Sequence, residues 1–178
     1  MAQAKKKKKF FDVDAPLIDK EIPLLAYEIG DLDGKIIKYD MTRFLKGKSL
    51  MLQLKVSVKG EKAEATPTET KLLPYFLKRM VRKGTNYIED SFSAECADAK
   101  IRIKPFLITR RKVPRKVRKA LRNKAKEEII AYVKDKKSEE LFDEIIKNTW
   151  QKSLSLKLKK IYPLSLCEIR ILKVEKAK

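Results

Sequence analysis

Alternation of hydrophobic and polar residues is the most regular pattern in the first half of the chain. Leucine or valine occupies every second position from 50 to 58, with mostly polar residues between them. A period of two is typical of a strand with one buried face, so we predict a strand there. Shorter runs predict further strands at 24–29, 88–96 and 101–107 and, as an edge strand of low hydrophobicity, at 63–68.

Glycine and proline residues mark where these elements end. The Gly30–Gly34 segment, whose two aspartates can bind the backbone, predicts a tight turn. Gly84 is expected to end a short helix that begins near Pro74. Pro105 has no N–H for a sheet hydrogen bond, and it therefore predicts either a sheet edge or a bulge.

The second half of the chain changes to the helical period near 3.6. Apolar residues recur every four positions over 117–133, after Pro114, which suits a first helical turn. A second apolar stripe follows over 142–161, and Ser138 is expected to be its N-cap. We predict two long helices between about 113 and 161, followed by a closing strand at 164–174.

Strands that precede and follow the helices indicate the α+β class. We expect an antiparallel β-sheet or small barrel flanked by helices, in a single domain over 24–178 whose first strands lie within 24–108. Residues 1–23 combine a lysine run with two prolines that favour extended backbone. They predict a basic, extended N-terminal arm that is flexible until it meets a partner.

The positive charge of the chain is concentrated in two stretches. Between Ala99 and Lys126 there are 13 Lys or Arg and no Asp or Glu, and the run from Lys5 to Lys9 adds 5 more cations. The whole chain has a net charge of +20, so the remainder is nearly neutral. Localised positive charge is what binding to a polyanion requires, although an anionic membrane surface would attract the same residues.

The strongest candidates for RNA or DNA contact leave the last of these strands and open the helix that follows. No acid lies within four positions of any cation from 115 to 119, so the ion pairs that usually balance a solvated helix face are missing. Arginine can also hold two phosphate oxygens at once. The predicted contacts are Lys104, Arg110, Arg111, Lys112, Arg115, Lys116, Arg118, Lys119 and Arg122.

Two further groups of cations are weaker candidates for the same role. Arg79, Arg82 and Lys83 lie at the end of a predicted helix, where cations also suit the helix dipole. The N-terminal lysine run is predicted to touch phosphates, with a solubilising or nuclear-import segment as the alternative. Its members are Lys5, Lys6, Lys7, Lys8 and Lys9.

Catalysis, metals and cofactors find no support in the sequence. The chain has no histidine, no glycine-rich phosphate loop and no Gly-x-Ser-x-Gly motif, so we predict no enzyme activity, no cofactor and no small-molecule substrate. Cys96 and Cys167 lie far apart in strand-like runs, which predicts two buried reduced thiols and no metal site. No apolar run is long enough to span a bilayer, and no secretory signal follows the N-terminal lysines.

Four short motifs are spread along the chain. They are KKFFDVDAP at 8–16, DLDG at 31–34, KPFLITRRK at 104–112, and IYPL at 161–164 with EIR at 168–170. In order and spacing they resemble, from about residue 5 to residue 174, the archaeal and eukaryotic small-subunit ribosomal protein family eS-one, formerly called S-three-Ae. The chain departs from the family at Ser165 and Leu166, where a basic pair is usual, so no rRNA contact is assigned there.

The resemblance implies a structural constituent of the small ribosomal subunit in the cytoplasm. In that family the protein supports translation at the platform, near the mRNA exit and the 3′ end of the small-subunit rRNA. The implied partners are rRNA and neighbouring small-subunit proteins, with direct contact to mRNA left open, and the implied activity is not enzymatic. The chain lacks the long C-terminal extension of eukaryotic members, which favours an archaeal or reduced form.

Two other functions remain open on the residues alone. A non-ribosomal RNA- or DNA-binding protein, or an RNA chaperone, would carry the same localised charge and would wash off small subunits in high salt. A membrane-surface protein would instead bind liposomes even after nuclease treatment.

Overall fold

The computed structural model describes residues 7–45, 47–60 and 62–177, with main chain only at 176 and 177. These residues form nine strands and four α-helices. The strands are β1 (Lys9–Ala15), β2 (Lys20–Ala26), β3 (Ile36–Asp40), β4 (Leu50–Lys59), β5 (Lys62–Leu72), β6 (Tyr87–Glu89), β7 (Phe92–Glu95), β8 (Ala99–Thr109) and β9 (Leu164–Ala177). The helices are α1 (Pro74–Met80), α2 (Arg115–Val133), α3 (Ser138–Lys147) and α4 (Thr149–Leu158). The predicted α+β class is confirmed.

The chain folds as two compact units. The first takes residues up to Tyr39 together with Leu52–Thr68, and the second takes Asp40–Met51 together with the chain from Glu69 onward. Strands β4 and β5 therefore contribute residues to both units. The division into an arm over 1–23 and a single domain over 24–178 stays a prediction.

In the first unit, β1 and β2 form an antiparallel hairpin where we expected a flexible arm. The chain reverses through a 3-10 turn at Pro16–Ile18 and through Asp19, which has a φ of 49°. Val13 is fully buried, and its strand also pairs in parallel with β5. Burial of this face orders the hairpin, and Pro23 is tolerated because β2 pairs with β1 alone among the described strands.

The alternating run that begins at Leu50 is a strand, as predicted, and its Leu52, Leu54 and Val56 side chains are fully buried. The return strand β5 is longer than expected and is not an edge, because within the first unit it pairs with both β4 and β1. Its buried side chains within the first unit are the alanines Ala63 and Ala65, which fit between other strands while giving a weak hydrophobic signal. Strand β3 was not predicted.

The Gly30–Gly34 segment is a turn, as predicted, but the strand before it ends at Ala26, and a 3-10 helix spans Ile29–Leu32. Gly34 has a φ of 73°, which favours glycine. The Asp33 carboxylate accepts a hydrogen bond from the Val58 N–H at 3.2 Å, and Asp31 accepts one from the Glu28 N–H at the same distance. Both carboxylates therefore bind the backbone.

In the second unit, β8 is paired along its length with the antiparallel strand β9. On its other edge it pairs with β6 through Phe106–Ile108 and with β7 through Lys100–Ile103. The single strand predicted over 88–96 is thus two strands. The break faces Pro105, where the β8–β9 register also shifts because Arg170 of β9 has no partner in β8. The predicted bulge is therefore present, with its extra residue on the partner strand, and β8 is not an edge strand.

The helical half contains three helices where we predicted two. The second predicted helix is divided at Asn148, which has a φ of 61° and ends α3 before α4 begins. Asparagine is one of the few residues that adopts this left-handed conformation readily. Ser138 is not the N-cap, because Lys137 holds that position and the Ser138 hydroxyl binds Asp98 instead.

Both cysteines are buried free thiols in the second unit, in agreement with the sequence. Burial raises the pKa of the Cys167 thiol to about 12, with the neighbouring Glu168 carboxylate acting in the same direction. Burial also raises the pKa of Cys96, whose thiol donates to the Ala99 carbonyl at 2.8 Å. Both groups are therefore protonated and unreactive at neutral pH.

Asp98 joins the turn between β7 and β8 to the beginning of α3. Its carboxylate accepts hydrogen bonds from the Ser138 N–H at 2.9 Å and from the Ser138 hydroxyl at 2.5 Å. Partial burial would raise the pKa of Asp98, but these bonds, together with one from the Cys96 thiol, lower it from its usual value of 3.8. The ionised carboxylate is therefore the form that holds α3 in place.

We expect Asp98→Ala to lower the free energy of unfolding by about 1 kcal/mol at neutral pH, because hydrogen bonds to a partly exposed carboxylate are lost. Since the folded-state pKa is lowered, this contribution is present above the unfolded value of 3.8 and is lost as the pH falls through the folded pKa. Denaturant unfolding of both proteins from neutral to acidic pH should show the difference shrinking. Asp135→Ala is the control, because Asp135 is an exposed carboxylate that precedes α3 in the sequence. A difference that stays constant with pH would count against this role.

Candidate nucleic-acid interface

The loop between β8 and α2 carries Arg110, Arg111 and Lys112, which we name the basic exit. All three side chains are exposed. Asn86 fixes both ends of this loop, because its backbone exchanges hydrogen bonds with Thr109 and its side-chain oxygen accepts one from the Val113 N–H at 2.8 Å. Hydrogen bonds to Asn86 therefore hold the backbone at both ends of the basic exit.

Helix α2 separates a buried stripe from a charged surface. Its apolar side chains at Leu121, Ala125, Ile129 and Val133 are buried, as the spacing predicted. The positions between them in the first half of the helix carry cations that are exposed, apart from the half-buried Arg118. We name this set the cation face: Arg115, Lys116, Arg118, Lys119 and Arg122.

The cations of the basic exit and the cation face have no carboxylate within ion-pair distance among the described residues. The second half of the same helix is different. Lys124 lies 3.5 Å from Glu127 and 3.2 Å from Glu128, and Glu128 also binds Lys157 of α4 at 2.7 Å. The cations of α2 are thus paired only from the point where Glu127 and Glu128 occur in the sequence, and the positive charge of the first half of α2 is not balanced by described carboxylates.

A groove of about 450 Å³ lies between β6 and the cation face. Its lining includes no acidic residue, and Tyr87 forms the wall on the β6 side. The residue Tyr87 is 56% exposed, and its ring stacks on buried Phe106 with ring centroids 6.0 Å apart. The lining residues are Tyr87, Ile88, Arg115, Arg118, Lys119, Arg122 and Asn123.

Sequence reasoning missed Tyr87. Its neighbour Ile88 is buried, so the strand period places Tyr87 on the opposite face, and that signal was available. The pairing of Tyr87 with Ile108, which brings it beside the basic exit, is a non-local contact that the local pattern does not contain.

The structure does not bring all predicted cations to this groove. Lys104 lines a separate groove of about 310 Å³, together with Glu89 and with Arg170, which is paired with that glutamate. Arg79 donates to the Gly47 carbonyl at 3.0 Å and lies over the Phe76 ring, so it has a structural role. Arg82 and Lys83 are exposed beyond the end of α1.

The N-terminal lysines belong to the first unit where they are described. Lys7, Lys8 and Lys9 are exposed, and the Lys8 ammonium lies 5.4 Å from the centre of the Tyr27 ring. Lys5 and Lys6 lie outside the described residues. The predicted phosphate contacts of this run stay a prediction.

The described ranges contain neither a cluster of metal-binding side chains nor a membrane-spanning helix. Within 7–45, 47–60 and 62–177, no group of three or more His, Cys, Asp or Glu side chains is placed to hold a metal ion. No helix in this part of the chain has the length and hydrophobicity needed to cross a membrane.

Comparison with known proteins gives the family. The sequence model of the Ribosomal S3Ae family matches residues 2–178. The chain belongs to this family. Among its relatives, the small ribosomal subunit protein eS1 of Nanoarchaeum equitans is 29% identical over 174 residues, covering 93% of this chain and 87% of the relative. The protein of the same name from Halorubrum lacusprofundi is 26% identical over 184 residues, with 98% and 85% covered.

Because the cation face has no carboxylate partners among the described residues, we expect the purified protein to be stabilised when positive charge is removed there. Arg115 and Lys119 are one helical turn apart, and changing both to Gln should raise the free energy of unfolding by a few tenths of a kcal/mol in low salt. The gain should disappear in high salt, which screens the repulsion. Denaturant unfolding at two salt concentrations measures it.

Lys124→Gln provides the matched comparison on the same helix. It removes a cation that is paired with Glu127 and Glu128, so the free energy of unfolding should fall slightly in low salt. If the double variant and Lys124→Gln changed the free energy of unfolding in the same direction, the proposed contrast between the two halves of α2 would be wrong.

Proposed function

We propose that this protein is a structural, rRNA-binding constituent of the small ribosomal subunit, and that the basic exit and the cation face bind rRNA phosphates. Membership of the Ribosomal S3Ae family and the names of the two eS1 relatives support the ribosomal part. The rRNA-binding part is carried by one observation, namely cations gathered on one stretch without carboxylate partners among the described residues.

The unbalanced charge of the cation face is unfavourable in the free protein, and RNA phosphates would relieve it. Like charges three and four positions apart on a helix repel each other. RNA phosphates reverse that interaction, and each neutralised phosphate also releases condensed counterions, which gives the binding its salt dependence. Arginine forms most of this surface, and its planar guanidinium binds phosphate through two parallel hydrogen bonds.

The position within the subunit follows from the family resemblance. On that basis we place the protein at the platform, near the mRNA exit and the 3′ end of the small-subunit rRNA, with neighbouring small-subunit proteins as further partners. The site offers phosphate-binding cations rather than groups for acid–base chemistry, so the proposed role is structural, in the ribosome of the cytoplasm. Lys7, Lys8, Lys9, Arg82 and Lys83 are exposed and would add secondary phosphate contacts.

The test changes Arg110, Arg111, Arg115 and Arg118 together to Gln. We expect the variant to keep its circular-dichroism spectrum and to be lost from small subunits in sucrose gradients run in high salt. Binding of the purified chain to small-subunit rRNA should weaken strongly, and the slope of log affinity against log salt should fall by about 3, since roughly four phosphate contacts are removed.

A matched control removes the same charge elsewhere. Lys134, Lys152, Lys159 and Lys160 are exposed in the second half of the helical region, and their change to Gln should leave assembly intact. Normal assembly of the arginine variant would refute the proposed interface. Loss of the wild-type protein from small subunits in high salt would favour a non-ribosomal RNA-binding protein.

A further inference from the structure

We infer that the groove between Tyr87 and the cation face is a pocket for one unpaired RNA nucleotide, whose base stacks on Tyr87 and whose flanking phosphates bind Arg115, Arg118 and Arg122. The inference rests on the proposed rRNA binding and adds a base-binding residue to it. The groove volume of about 450 Å³ is within the range of small-ligand sites.

Tyr87 has the geometry of a stacking platform. One side of its ring packs on Phe106 at a centroid distance of 6.0 Å and an interplanar angle of 23°, and Phe106 is buried. Tyr87 as a residue remains more than half exposed. The preceding residue, Asn86, is bonded to Thr109 and Val113, so the backbone next to Tyr87 is tied to the loop that leads into α2.

Arg118 supplies the second observation. It is the one half-buried member of the cation face, and its Nε is buried without a hydrogen-bond partner in the ranges that the structure describes. A buried donor of this kind is costly unless a ligand satisfies it. Because Arg118 lines the groove, an anionic oxygen bound there would supply that partner.

Two neighbouring grooves among the described residues lack this combination. The groove on the α1 side of Tyr87 contains Glu89 and Arg170, and the groove at Lys104 contains the same two residues. Arg170 binds both oxygens of Glu89, at 3.0 Å and 3.1 Å, so the charge of this arginine is already balanced by a carboxylate. An acid-free groove with an exposed ring fits an RNA base and phosphate better than it fits a neutral ligand.

An unpaired nucleotide is the occupant that uses both features. Base-paired RNA presents phosphates but keeps its bases in the stack, whereas nucleotides in loops and bulges can turn out and stack on aromatic rings. A phosphate alone would use the arginines but not the ring. An acidic peptide would likewise leave the stacking surface unused.

The experiment uses the full chain and a single-stranded RNA oligonucleotide that contains one 2-aminopurine, with an RNA duplex of equal length as the comparison. The wild type should quench 2-aminopurine fluorescence, as stacking does. Tyr87→Leu should weaken single-strand binding by roughly 5- to 150-fold and leave duplex binding and the salt slope unchanged. Tyr87→Phe keeps the ring and should bind like the wild type.

The outcomes separate this pocket from the proposed function. If Tyr87→Leu binds the single strand as the wild type does while the four-arginine variant loses binding, the pocket is wrong and the proposed rRNA interface stands. If the four-arginine variant also binds normally, the proposed interface fails. Competition by poly-glutamate as effective as that by the unlabelled oligonucleotide would also overturn the pocket.

A measurement on the wild type covers the case in which Tyr87→Leu does not fold. Photocrosslinking to an oligonucleotide that contains 5-iodouridine, followed by mass spectrometry, should find the peptide that contains Tyr87. Crosslinks confined to other peptides would overturn the inference.

Discussion

The separation of burial from charge along α2 is the constraint on which the proposed interface depends. Leu121, Ala125, Ile129 and Val133 are buried, and their burial fixes the rotation of the helix about its axis. The cations between them therefore face away from the core and reach no described carboxylate. The free energy gained by burying the stripe offsets the repulsion between these cations, so the helix remains folded. The resulting charged surface is electrostatically unfavourable in the free protein and favourable in contact with a polyanion.

Strand β8 connects that surface to the rest of the second unit. It is paired on both edges, the shift of its register with β9 at Pro105 coincides with the break between β6 and β7, and it ends where the basic exit begins. Asn86 bonds both ends of the exit, which also fixes the neighbouring Tyr87. The same strand end thus brings together the cations that we propose bind phosphates and the ring that we propose stacks on a base. A rigid scaffold of this kind limits the entropy lost on binding.

The local patterns predicted what depends on local sequence. The strand from Leu50, the α2 stripe and the Pro105 bulge follow from periodicity and from the missing proline N–H. What failed depends on non-local partners or on single backbone conformations. The N-terminal hairpin is ordered by burial against β5, and Asn148 breaks a continuous apolar stripe through one left-handed residue. The cations of the proposed interface could be recognised because no acid lies near them in the sequence, whereas the place of Tyr87 beside them required the β6–β8 pairing.

The most direct measurement is the reactivity of each arginine towards phenylglyoxal, read by mass spectrometry, in the free protein and in purified small subunits. The account predicts that Arg110, Arg111, Arg115 and Arg122 react readily in the free protein and become strongly protected in the subunit. Arg102, which already pairs with Glu175 at 2.7 Å, is the internal reference for a guanidinium with a partner. Equal reactivity of the four arginines in the two states would contradict the claim that rRNA neutralises this surface.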